Sequence, residues 1–197
     1  MKNSATTTMT TKNIASIGLM TAVLCLLGPI SLPIGLVPIT LGTLGIYLTA
    51  YLLGWKKGVL CTMIYLLLVM VGVPVFSNFG AGLAKLVGPT GGYLIGYIPM
   101  SFIIGFFADK FRNNKPMQLL GMILATIVLY AIGTAWLSVA AKLTFAKALA
   151  AGVTPFIVGD AIKIVMAMIL GMPIKDRVAL FNQQDKVSKE NLEEGNK

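Results

Sequence analysis

Six long apolar segments occupy most of this chain, and they constrain its fold more than any other feature. The segments cover residues 13–32, 39–54, 58–72, 93–108, 117–139 and 155–172. Of the 197 residues, 56% are apolar and 12% are charged, which is far from the composition of an average soluble domain. We therefore expect an all-α integral membrane protein with six transmembrane helices.

The lengths of the segments test this expectation. A straight helix needs about 20 residues to cross the hydrocarbon core of a bilayer. Segment 117–139 meets this requirement, whereas 39–54, 58–72 and 93–108 are short and should extend into their flanks. The alternative is that one short segment is partly re-entrant, which requires that its backbone be buried in protein or line a cavity.

The ends of the chain are polar, unlike the segments between them. We interpret the first apolar run as a membrane span and not as a cleaved signal, because equally apolar segments follow it. The expected organisation has a polar N-terminus at 1–12, a single six-helix transmembrane domain at 13–174, and a polar tail at 175–197 that frays.

Basic residues are sorted by side, as the positive-inside rule requires. With the N-terminus inside, twelve lysines and arginines lie in inner loops and tails, and only Lys85, Lys142 and Lys147 lie outside. We interpret the charged cluster 109–115 as a topogenic turn in preference to a partner-specific patch. Both termini are therefore expected in the cytoplasm. The same sorting accounts for the net charge of +9 without nucleic acid, which we do not expect as a partner.

The outer connections are apolar but cannot form continuous helix. Pro29, Pro33 and Pro38 interrupt the first, and the second, 73–93, contains five glycines. Broken backbone at membrane depth usually lines a site. We expect these irregular loops to cap a ligand pocket.

Several classes of chemistry are excluded. The chain has no histidine, and Cys25 and Cys61 lack metal-ligand spacing, so we expect packing roles for both thiols and no metal site. It also lacks the phosphate-binding G-x-x-x-x-G-K-[ST] motif, so ATP-driven work would require another chain.

Asp160 and Lys163 are the two charged residues that remain inside a predicted span. Their i, i+3 spacing places them on one helix face, and a charge in mid-membrane costs at least about 2.5 kcal/mol. An ion pair that only fixes helix packing is one interpretation. The other is a ligand site, with an acceptor beside a donor that suits adjacent N–H and C=O groups, or with the ammonium holding a carboxylate.

Two further polar residues lie where they could complete such a site. Asn78, in the glycine-rich loop, can donate and accept hydrogen bonds, although a turn-forming role explains it equally well. Tyr93, at the start of the fourth segment, offers a phenol and a ring face. We interpret Phe76, Phe79 and Tyr97 as core residues in preference to site residues.

Small residues recur on one part of the first segment. Ala15, Gly18 and Ala22 include a small-xxx-small pair that lets helices approach closely. Internal packing and a partner face explain the pattern equally well.

Three stretches of this chain are similar to a known family. GVPVF at 72–76, GPTGGYLIG at 88–96 and GDAIK at 159–163 resemble the BioY family of biotin uptake proteins, with similarity from about 14 to 178. The resemblance implies the substrate-capture (S) component of an energy-coupling-factor (ECF) vitamin transporter in a bacterial cell membrane. It also implies six helices and a high-affinity biotin site near the outer face, with no cofactor.

The resemblance also implies partners and residue roles. The partners are a transmembrane coupling protein and two ATPase subunits, for which small residues on the first helix would form the docking face. Asp160 and Lys163 would bind the ureido ring of biotin, with Asn78 and Tyr93 completing the pocket. The alternatives are a solo carrier or channel with Asp160 as a proton-coupling group, and an intramembrane enzyme; we expect no enzymatic activity.

Overall fold

Helices dominate the structure. The computed structural model describes residues 11–33 and 37–194, with the side chains of 176 and 178–194 left out. The helices are α1 (Thr11–Leu27), α2 (Gly42–Val71), α3 (Leu83–Val87), α4 (Gly91–Lys110), α5 (Lys115–Ala140), α6 (Phe145–Gly152) and α7 (Ile157–Glu194). Two short strands, β1 (Ser31–Leu32) and β2 (Ile39–Thr40), pair in antiparallel register, and a 3-10 helix covers Ser77–Phe79. The expected all-α class therefore holds apart from this two-residue ladder.

The long helix α2 reverses direction at Gly54. This glycine has φ 77° and ψ 179°, a backbone conformation essentially restricted to glycine. A Cβ placed on Gly58 would lie 2.8 Å from the Cα of Ala50, whereas residues eight apart in a straight helix are about 12 Å apart. Residues 42–53 and 55–71 are therefore two antiparallel helices, which agrees with the predicted break between 54 and 58.

The aspartate Asp109 stabilises this reversal. Its Oδ2 accepts a hydrogen bond of 3.1 Å from the backbone N–H of Trp55, at the start of the second half of α2. The first N–H groups of a helix have no partner within the helix, so a carboxylate at this position satisfies a donor and complements the helix dipole.

Several helices have the length and composition of membrane spans. These are α2, α4, α5 and the first 19 residues of α7, Ile157–Lys175, while α1 is a shorter apolar helix of 17 residues. Large apolar side chains such as Leu26, Ile127 and Ile169 are exposed on the outside of the bundle. Such a surface is typical of a protein that faces lipid, so the chain is a multi-pass membrane protein.

The two ends of the bundle differ in the residues that make polar contacts there. At one end, Lys57 Nζ donates to Asn13 Oδ1 at 2.7 Å and Lys175 Nζ donates to the carbonyl of Ala108 at 2.8 Å. The described loop residues 28–33, 37–41 and 73–90, together with α6, form the other end, where the Trp136 indole donates to the carbonyl of Gly88. Two of the basic residues assigned to the inner side, Lys57 and Lys175, thus lie at the end that lacks the irregular loops.

Two helical regions differ from the sequence-based expectation. The chain does not fray at Lys175, because α7 continues to Glu194; residues 174–194 contain no glycine or proline and are rich in good helix formers. The connection between α5 and α7, which was predicted to be an outer loop, contains the short helix α6.

Candidate ligand-binding site

A cavity lies between the irregular loops and the adjoining ends of α2, α4, α5 and α7. The space between its lining atoms is about 440 Å³, including the solvent at its mouth. Its walls are mostly apolar and aromatic, with a few polar groups, which is the usual composition of a small-molecule site. The lining residues are Val37, Pro38, Thr40, Thr43, Phe76, Ser77, Thr90, Tyr93, Tyr97, Leu129, Tyr130, Phe156, Asp160 and Lys163.

Asp160 and Lys163 form a buried ion pair in the wall of this cavity. Lys163 Nζ lies 2.8 Å from Asp160 Oδ1, and the two residues are only 5% and 3% exposed. They lie one and two turns into α7, so the helix itself sets their spacing, as the sequence predicts. The structure thus places the predicted pair at the cavity.

A threonine and a tyrosine from other helices hold the pair. Lys163 Nζ donates to Thr43 Oγ1 at 3.0 Å, and this hydroxyl donates to Asp160 Oδ1 at 3.3 Å. Tyr130 donates from its hydroxyl to Asp160 Oδ2 at 2.6 Å. Contacts from α2 and α5 therefore fix the orientation of both charged groups on α7.

The hydrogen-bonding capacity of the pair is not exhausted. An ammonium has three N–H donors, and Lys163 uses two on Asp160 and Thr43. A carboxylate offers about four lone-pair positions, and Asp160 accepts three bonds from described residues. The pair, which lines the cavity, thus retains one donor on Lys163 and one acceptor on Asp160, the two kinds of group that a ligand with adjacent C=O and N–H groups requires.

Tyr93 lines the cavity through its ring, while its hydroxyl is used elsewhere. The hydroxyl donates to the carbonyl of Gly152 at the end of α6, at 2.8 Å. The ring also packs against Gly133, which has no Cβ to obstruct it. Tyr93 therefore joins α4, α5 and α6 and presents an aromatic surface to the cavity.

The other aromatic residues divide into two groups. Phe76 and Tyr97 are buried as expected, but both also line the cavity, so they are wall residues as well as core residues. Phe79 is 72% exposed and is not part of the core, so that interpretation was wrong. Its φ of 55° places it in the left-handed region, next to Asn78 in the same turn.

Asn78 lies outside the lining of this cavity. It borders an adjoining outer depression, which shares Pro38, Ser77 and Thr90 with the cavity. Its backbone has φ 54° and ψ 41°. Its side-chain Oδ1 accepts a hydrogen bond from Ser31 Oγ at 3.0 Å, and its backbone N–H donates to the same hydroxyl at 2.8 Å. Asn78 thus forms a turn beside the cavity and links the loop after α2 to the loop after α1.

The small residues of α1 face outwards. Ala15, Gly18 and Ala22 are exposed, and a Cβ on Gly18 would have no atom within 4 Å among the described residues. Packing inside the chain therefore does not account for the small side chains at these positions.

Thr43 and Tyr130 were not predicted as site residues from the sequence. Both lie within apolar segments, where a lone hydroxyl residue is indistinguishable from a packing residue. Thr43 follows the proline-rich loop by one helical turn, and Tyr130 is mid-helix, so only the tertiary packing reveals that both contact Asp160.

Comparisons with known proteins agree over nearly the full length of the chain. A family model described as the BioY family matches residues 1–180. The biotin transporter BioY of Thermotoga maritima is 39% identical over 158 residues, which cover 80% of this chain and 92% of that protein. The biotin transporter BioY of Rhizobium etli is 37% identical over 177 residues, covering 84% and 94%.

A solved structure has the same fold. It is a crystal structure of the S-component for biotin from an ECF-type ABC transporter, with a TM-score of 0.78 and 29% sequence identity. The alignment covers 86% of this chain and 95% of that chain.

Proposed function

The chain belongs to the BioY family, and we infer from this membership that it takes up biotin as the S component of an ECF-type ABC transporter. The curated relatives and the similar crystal structure carry this assignment. Because these proteins are transporters, the chain is a transport protein and not an enzyme. The observation that carries the site is the buried Asp160–Lys163 pair, which faces a largely aromatic cavity.

We propose that the ureido ring of biotin binds at this pair. A ureido group presents one C=O flanked by two N–H groups. The remaining N–H of Lys163 would donate to the ureido oxygen, and the remaining lone pair of Asp160 would accept from one ureido N–H. Thr43 and Tyr130 support this role because they hold both charged groups in a fixed orientation before the ligand arrives.

The apolar part of the ligand would lie against the aromatic wall. Phe76, Tyr93 and Tyr97 line the cavity beside the ion pair and offer ring surface to a sulfur heterocycle and a methylene chain. Asn78 would act at the mouth, where its amide N–H groups are available to the outer part of the ligand.

We propose six membrane spans: α1, the two halves of α2, α4, α5 and the first part of α7. The reversal at Gly54 supports the count, because it turns one long helix into two that run in opposite directions. The unequal distribution of lysine and arginine supports cytoplasmic termini. The transmembrane domain is then 13–174, with the helical segment from 175 extending into the cytoplasm.

Energy would come from separate subunits. The sequence has no phosphate-binding loop of its own, so we propose a transmembrane coupling protein and two ATPase subunits as partners. The exposed small residues Ala15, Gly18 and Ala22 would form the docking face, because they allow a partner helix to approach closely.

Equilibrium binding to the protein purified in detergent tests the site. Wild type should bind biotin below micromolar concentration, whereas Asp160→Asn and Lys163→Met should bind much more weakly. Lys147→Met, which removes an exposed lysine on α6, serves as the matched control and should bind like wild type. Absence of saturable binding by wild type would refute the function, and unchanged affinity in both site variants would refute the site alone.

Uptake in cells tests the need for partners. Biotin uptake by this chain should require an ECF module with active ATPase subunits. Full uptake in cells that lack every such subunit would contradict the proposed partners and favour a solo carrier.

A further inference from the structure

We propose that Lys85 forms a carboxylate subsite at the mouth of the cavity, where it binds the acid group of the ligand whose ureido end lies at Asp160 and Lys163. This inference rests on the proposed function. It assigns a role to a cation that the ureido site does not use, and it makes the binding site a two-part site with a polar group at each end.

The position of Lys85 supports the proposal. Lys85 lies on α3 and lines the outer depression, whose space is about 840 Å³ including open solvent. This depression shares Pro38, Ser77 and Thr90 with the inner cavity, so the two spaces adjoin along a common wall. A ligand bound in the inner cavity can therefore extend into the depression.

The conformation of the side chain brings the ammonium towards the loop 76–80, which contains the shared wall residue Ser77. A Cβ on Gly80 would lie 3.1 Å from Lys85 Nζ, so the lysine side chain lies over that glycine. Gly80 in turn forms two backbone hydrogen bonds of 3.1 Å with Phe76, which lines the inner cavity. The ammonium is thus held close to the loop that separates the two spaces.

The ammonium of Lys85 is also available to bind an anionic group. Within the described part of the chain, Lys85 makes no side-chain hydrogen bond and no ion pair, and its residue is half-buried. A partly buried cation without a counter-charge is a favourable place for an anionic group, because a charge-assisted hydrogen bond there is stronger than one in open water.

The charge balance of the inner cavity points the same way. Asp160 and Lys163 already neutralise each other at 2.8 Å, so the inner cavity has no unpaired charge to offer a carboxylate. The two other lysines on the outer side, Lys142 and Lys147, line neither the cavity nor the depression. Of the described outer cations, Lys85 is the one that can meet an acid group on a ligand in this site.

The test compares biotin with its methyl ester, which keeps the ureido ring and removes the negative charge. Lys85→Gln should weaken biotin binding by about tenfold, the worth of one charge-assisted hydrogen bond at a partly exposed site. It should leave the affinity for the methyl ester within about twofold of wild type. Lys85→Arg should retain most of the biotin affinity, and Lys147→Gln should change neither ligand.

Three results would overturn the proposal. The first is unchanged biotin affinity in Lys85→Gln, and the second is an equal loss for biotin and its ester. The third is a loss confined to biotin in Lys163→Met, because that would place the carboxylate at the inner pair. Failure of the wild type to bind either ligand would instead refute the proposed function, so the two failures are distinguishable.

Discussion

Replacing Asp160 by asparagine separates the structural and ligand-binding roles of the buried pair. The substitution keeps the shape of the side chain and removes its charge. One carboxylate oxygen becomes an NH₂ group, although both oxygens accept hydrogen bonds: Oδ1 from Lys163 and Thr43, and Oδ2 from Tyr130. At least one of these donors therefore loses its acceptor, and the buried ammonium loses its counter-charge.

The magnitude follows from these contacts. Removing one partner of a buried ion pair costs about 3–5 kcal/mol, because the other charge stays buried and uncompensated. Removing both charges, as in Asp160→Asn with Lys163→Met, should restore most of that stability, since a buried pair is often close to neutral against uncharged residues. Binding should not recover: losing two charge-assisted hydrogen bonds of about 1.5 kcal/mol each weakens affinity by roughly 100-fold.

Two measurements on the same purified proteins give the answer. Thermal unfolding in detergent, without biotin, reports stability, and equilibrium biotin binding below the unfolding transition reports the site. We expect the single variant to be destabilised and weak in binding, and the double variant to be stable and still weak in binding. If the double variant recovers stability and wild-type affinity together, the pair serves only helix packing and the assigned ligand contacts are wrong.

Three further predictions concern other parts of the molecule. Gly54→Ala should destabilise the protein by about 2 kcal/mol or more in thermal unfolding, because φ 77° with ψ 179° is strained for alanine and the added Cβ would meet the Asp109 carboxylate. An unchanged unfolding temperature would contradict the reversal of α2 at this position. Tyr93→Phe should cost about 1 kcal/mol of stability through loss of the hydrogen bond to Gly152, and it should change biotin affinity by less than about threefold because the ring remains. A much larger loss of affinity would mean that the hydroxyl contacts the ligand. Gly18→Leu should leave biotin binding unchanged, because a Cβ at position 18 meets no atom of the described residues within 4 Å. The same variant should abolish module-dependent uptake, and normal uptake would contradict α1 as the docking face.

The sequence predicted the helices well because apolar segments and charged turns are local signals. Even the division of α2 was visible, since the lysines after Gly54 are costly within a membrane span. The extension of α7 beyond Lys175 was missed because polar composition was taken as evidence against structure, although the segment contains neither glycine nor proline.

The site was predictable only where charge made it visible. Asp160 and Lys163 stood out because a charged residue is rare in a span, and the structure places both at the cavity. Thr43 and Tyr130 contact the same carboxylate from positions 117 and 30 residues away in the sequence. Their role depends on how α2, α5 and α7 pack, which no local pattern in the sequence encodes.

The closeness of Asp160 and Lys163 has a consequence for the energetics of transport. A single charge that crosses a membrane potential of 100 mV exchanges about 2.3 kcal/mol with the field. A carboxylate and an ammonium 2.8 Å apart on one helix sum to zero, so any reorientation of this site in the bilayer carries no net charge from the pair through the field. The voltage across the membrane therefore provides little work through these two residues.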